Sequence, residues 1–160
     1  MAVFTLIVQK FPLRTPNIYY IMLNRNSKTK KKSIIDVYPT VYNVDLVVAN
    51  KHTTIEQINK RYKTIDDKDF EDDTCICFTQ PGYDRKTNRA IILVKYNHEY
   101  DIVGIDKKLD LVNTCAHEAL HVCMRIYSKI GEEVFKDDSN ELLAYLLGWV
   151  TECIYKTLTK

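Results

Sequence analysis

The hydrophobic period of the chain changes once, near residue 106, and that change limits the fold more than any other feature. Ahead of it, apolar and β-branched residues come in short runs bounded by Pro, Gly and Asn, as strands require. Val3 to Gln9 is one such run, closed by Phe11-Pro12, and Ile18 to Leu23 is a second. Ile34 to Tyr38 and Val41 to Val48 follow, split by Pro39. Thr53-x-x-Glu56 fits a capping box, with Ile55, Ile58 and Tyr62 at helical spacing behind it. Thr74 to Thr79 and Ala90 to Tyr96 read as strands joined by the polar stretch Gln80 to Asn88, a hairpin with a long loop. Beyond residue 106 the period is 3.6. Leu109 to Ile130 forms one helix ended by Gly131, and Asp138 or Ser139 caps another from Asn140 to Thr157. Strands, a helix, two strands and two long helices make an α+β domain, with helices packed on a mainly antiparallel sheet.

At 160 residues the chain is one domain, long enough to bury a core without metal or disulfide staples. Its 46% hydrophobic and 28% charged residues exclude a disordered chain, and four Gly with four Pro exclude collagen-like and low-complexity classes. No apolar run reaches the ~18 residues of a membrane span, and no signal-peptide pattern opens the chain. Five cysteines, an odd number, point to reduced thiols and a cytoplasmic setting. Cys75 and Cys77, spaced C-x-C on a strand, read as core residues. The net charge of +2 is too small to imply nucleic acid. Its distribution is uneven, with residues 1–65 basic and residues 66–160 acidic. Lys28, Lys30, Lys31 and Lys32 read as a solvated loop or, alternatively, a phosphate-binding patch. The acids from Asp66 to Asp73 lack calcium-loop spacing.

One motif carries chemistry. His117-Glu118-Ala119-Leu120-His121 is H-E-x-x-H on a helix. Positions i and i+4 share a face, so both imidazoles can reach one zinc ion. Glu118 is offset to the side, where a general base for a zinc-bound water is needed. With four His in 160 residues, chance yields the pattern roughly 0.005 times in such a chain. A helical wheel centred on Val112 puts Cys115, Ala116, Ala119, Leu120, Val122, Cys123, Ile126, Tyr127 and Ile130 on the core stripe, with both His well off it. The pair therefore faces water or a cleft.

A catalytic zinc takes three protein ligands and keeps one position open. The metzincin-type extension is absent: Met124 and Tyr127 stand where Gly and His would be needed. Glu141 is the better third ligand, with Asp137, Asp138 and Glu152 behind it. On the last helix Leu143, Leu146, Leu147, Val150 and Ile154 form an apolar stripe, while Glu141, Tyr145, Gly148 and Glu152 form another line. Gly148, unfavourable inside a helix, suggests close approach of the neighbouring helix, which would hold Glu141 beside the His pair. The alternative for Glu141 is an acid favoured by the helix dipole.

His117-Glu118-x-x-His121 followed by Asn140-Glu141-x-x-Ala144-Tyr145-Leu146-x-x-Trp149 resembles the gluzincin metallopeptidases. It looks most like the small H-E-x-x-H domains of phage and bacterial genomes. The resemblance covers about residues 108–156. It implies a zincin-like fold with an active-site helix and a C-terminal helix on the sheet. It implies zinc on His117, His121 and Glu141, and Glu118 as general base in the hydrolysis of peptide bonds. The substrate would be an intracellular protein or peptide, in the host cytoplasm if the chain is phage-encoded. Asn88 to Tyr96 would be the edge strand holding that substrate, and Tyr145, ahead of Tyr127 and His98, the oxyanion donor. Two other readings stay open: a catalytically inactive zinc-binding interaction module, and nucleic-acid binding through the Lys28–Lys32 loop. Nothing in the sequence sets the oligomeric state.

Overall fold

The computed structural model describes residues 8–9, 20–21, 32–64, 76–97, 106–131 and 140–160. Two short segments, β1 (Val8–Gln9) and β2 (Tyr20–Ile21), pair antiparallel, each inside an expected strand. The main sheet contains β3 (Ile35–Pro39), β4 (Val44–Ala49), β5 (Tyr62–Thr64), β6 (Cys77–Asp84) and β7 (Ala90–Tyr96), in the order β3-β4-β7-β6-β5. Three of its pairings are antiparallel, and β4 runs parallel to β7. The fold is α+β, with a five-stranded mixed sheet and the long helices α2 (Lys107–Ile130) and α3 (Asn140–Leu158). A short helix, α1 (Ile55–Asn59), precedes β5.

Both faces of the sheet are covered. Val44, Leu46, Val48, Ile92, Val94 and Tyr96 pack under α2 and α3. The alternate residues Val47, Ala49, Ile91 and Leu93 pack against Ile58, Tyr62 and Phe78. Burial on both sides explains why β4 and β7 read as continuous apolar runs and not as alternating ones. It also overturns one expectation: β7 is a central strand, not the substrate-holding edge. Beside α2 it is β6 that offers an edge, because β5 pairs only with Gly82–Asp84 among the described residues.

Three local readings also change. Thr54, not Thr53, caps α1, and its capping-box partner is Gln57. The Thr53 hydroxyl is engaged elsewhere, donating to the Ile34 carbonyl at 2.8 Å. Tyr62 leaves the helix and enters β5, where it is buried. The long loop after Thr79 is largely strand. β6 continues through Pro81 and Gly82 to Asp84, whose carboxylate accepts from the Lys86 amide at 2.8 Å and tightens the turn. Gly82 is required there, since an added Cβ would lie 2.4 Å from the Lys63 carbonyl oxygen on β5.

α2 begins at Asp106, whose side chain accepts from the Lys108 amide, and ends at Gly131 with φ 76°, a left-handed conformation suited to glycine. α3 joins the core through Leu143, Leu146, Val150 and Ile154 of the expected stripe, with Leu147 partly buried against it and Cys153 buried as well. Its C-terminal end is tied to β3. Tyr38 Oη lies 2.9 Å from Thr157 Oγ1, which donates to Asp36 Oδ2 at 2.8 Å. Lys160 Nζ also bonds Asp36. Burial works against the Asp36 charge, but the Lys160 ammonium and the Thr157 hydroxyl outweigh it and hold this carboxyl below its usual range. Among the described residues no helix is long and apolar enough to cross a membrane.

Candidate metal centre

The H-E-x-x-H segment lies at the middle of α2. Cys115, Ala119, Val122, Cys123, Ile126 and Tyr127 are buried, whereas Val112, Ala116, Leu120 and Ile130, also expected on the core stripe, are exposed. The buried arc is thus turned toward the Glu118 side of the helix. That rotation is the geometric origin of the site. It leaves His117 and His121 exposed and carries Glu118, at 5% exposure, under the helix against β6.

The two imidazoles converge. Their ring centroids lie 4.8 Å apart with planes at 76°, and the two Nε2 atoms are 3.1 Å apart. Two nitrogens ~2.0–2.1 Å from one tetrahedral zinc stand roughly 3.3–3.4 Å from each other. The observed separation is within a few tenths of an ångström of that, so the pair fits as two ligands of a single ion. The same separation is within hydrogen-bond distance.

Glu118 is held from the sheet. Thr79 Oγ1 on β6 donates to Glu118 Oε2 at 2.7 Å, a bond between buried side chains. One helical turn beyond His121, the Arg125 guanidinium donates to the Thr79 carbonyl at 3.0 Å. The same β6 residue therefore positions the carboxylate through its side chain and anchors α2 through its backbone. Nothing in the sequence pattern flagged Thr79, because its partner lies 39 residues away.

The other candidates stand apart from this core. Glu141 is exposed in the first turn of α3, and among the described residues no third His, Cys, Asp or Glu joins the imidazoles in a group able to hold a metal ion. Glu141, Tyr145, Gly148 and Glu152 do share a line on α3, but all four are exposed. Gly148 faces open space: a Cβ there meets nothing within 4 Å, so it marks no close helix approach. Glu152 pairs with Lys156 at 2.5 Å. Tyr145 is 76% exposed, and no hydrogen bond joins it to either imidazole. Tyr127 is buried in the core and does not reach the His face. Asp137, Asp138 and His98 lie outside the described residues, as do Cys75, Lys28, Lys30 and Lys31, whereas Lys32 is exposed.

The buried cysteines of α2 and α3 belong to the core. Burial pushes the Cys115 thiol up to about 12, with the Glu118 charge adding to the effect, and pushes Cys123 up to about 12 as well. Cys153 is pushed up to about 11, again mainly by burial. All three pack in the apolar core, as the C-x-C strand residue Cys77 does.

From His121 a groove of about 530 Å³ runs between the C-terminal half of α2 and the ends of β4, β6 and β7. No family model, curated protein or solved structure matches this chain.

Proposed function

We propose that the protein is a zinc-dependent peptidase, with His117 and His121 as metal ligands and Glu118 as general base. The observation that supports this reading is that two exposed imidazoles on α2 converge to 3.1 Å, while the intervening motif carboxylate, Glu118, is fixed by Thr79. The third protein ligand is assigned to Glu141, the acid in the first turn of α3. Asp137, Asp138 and Glu152 remain the substitutes.

When bound, zinc supplies Lewis-acid polarisation of the scissile carbonyl and of the attacking water. The rest of the chemistry belongs to this chain. Thr79 occupies Oε2 of Glu118 and fixes its rotamer, leaving Oε1 to take the proton of the attacking water. Glu118 then returns that proton to the leaving amine. At 5% exposure the Glu118 carboxylate is largely shielded from bulk water.

The second reading, a metal-binding module without catalysis, is favoured by the lack of a third donor beside the pair among the described residues. One experiment separates the two. Zinc content and hydrolysis of a quenched fluorescent peptide library are measured for wild type, Glu118→Gln and His117→Ala. The peptidase reading expects one zinc per chain and cleavage in wild type, zinc without cleavage in Glu118→Gln, and neither in His117→Ala. Unchanged cleavage in Glu118→Gln refutes it.

A further inference from the structure

From the groove beside His121 we infer that the peptide bound there carries an acidic side chain, taken by Arg125 and Lys129. The groove has an apolar floor, including Val44, Ala90, Ile92 and Met124, and both basic side chains line it. It is lined by no Asp or Glu, and among the described residues no carboxylate forms an ion pair with Arg125 or Lys129. A chain segment lying in it would bury apolar side chains and meet positive charge at one flank, which is complementary to a peptide with mixed apolar and acidic residues. Among the described residues Arg125 donates only through Nη2, to the Thr79 carbonyl, which leaves N–H groups for such a carboxylate. Among the described residues no Phe, Tyr or Trp lines the groove, and an oligonucleotide enters the test as a competing outcome.

The spacing along α2 sets where the acid falls. His121, Arg125 and Lys129 stand at i, i+4 and i+8. At 1.5 Å per residue, the two cations lie roughly 6 and 12 Å beyond His121 along the helix axis. An extended peptide covers ~3.3 Å per residue, so Asp or Glu about two to four residues from the bond at the metal reaches them. This assignment rests on the peptidase reading for which bond lies next to His121, but not for the binding itself.

The test therefore reads binding without metal. The wild-type protein, immobilised and washed with a chelator, is incubated with a randomised decapeptide pool amidated at the C-terminus, and the retained peptides are sequenced. Asp and Glu should be enriched about fivefold over the input pool. Lys129→Gln should reduce the enrichment, and Lys129→Glu, which sets a carboxylate beside Arg125, should abolish it. Lys129 is exposed and outside the core, so both variants keep the fold. The inference is overturned if wild type retains no acidic excess, if Lys129→Glu leaves the excess unchanged, or if the protein retains oligothymidylate in preference to the peptides. Failure of the zinc and hydrolysis assay would leave this result standing, and the reverse also holds.

Discussion

Replacing Thr79 with Val tests the hydrogen bond that holds the Glu118 carboxylate, the base of the proposed reaction. Both side chains are buried, at 8% and 5% exposure, and the bond between them is 2.7 Å. A hydrogen bond to a charged group contributes about 1.5–3 kcal/mol, and its loss leaves a buried carboxylate with a donor removed. Thr79→Val should therefore destabilise the protein by about 1.5–3 kcal/mol at pH 7. Glu118→Gln retains an acceptor for the same hydroxyl but removes the charge, so in that background the Thr79→Val cost should fall to about 1 kcal/mol. The two sites are then coupled by about 1 kcal/mol in a double-mutant cycle. Urea denaturation of the four proteins, with m-values compared, measures each quantity. A Thr79→Val cost below about 0.5 kcal/mol, or the same cost in both backgrounds, would mean that Thr79 does not hold the carboxylate.

Three further outcomes follow from the same structure. Gly148→Ala should stabilise the protein by about 0.8–1.0 kcal/mol, because it improves helix propensity at an exposed position with open space around the new methyl; a destabilised variant in thermal unfolding would show that a neighbour does occupy that space. Lys95 on β7 is only 4% exposed, and burial lowers its ammonium to about 8 from an ordinary 10.5. The folded state therefore binds fewer protons than the unfolded chain between those values, and the Lys95 contribution to stability rises with pH across that window. Lys95→Met should be more stable than wild type at pH 7, and its advantage should shrink by about 3 kcal/mol by pH 10.5, at about 1.36 kcal/mol per pH unit; a pH-independent difference in denaturation midpoints would contradict this. Zinc at 100 times its dissociation constant should raise wild-type stability by about 2.7 kcal/mol. His121→Ala should show no such rise in thermal shift, and an equal rise would place the metal elsewhere.

Much of this protein is written in its periodicities. The change near residue 106 located both long helices almost to the residue, since amphipathic spacing and the Gly131 stop are local signals. H-E-x-x-H placed two imidazoles on one helix face because 3.6 residues per turn leaves no other arrangement. The apolar stripe of α3 was equally plain. What the chain could not announce locally is azimuth and partnership. The wheel located an apolar arc on α2, but only packing against β6 turned it toward Glu118 and paired that carboxylate with Thr79. The parallel pairing of β4 with β7, which moves β7 from an edge to the centre of the sheet, joins segments about 45 residues apart and has no local signature. Gly148 looked like a contact because a helix rarely keeps a glycine without one, yet its surroundings are open. The identity of a side chain and its spacing decide which residues share a face; what that face meets depends on contacts between distant segments, and those exist only once the chain has folded.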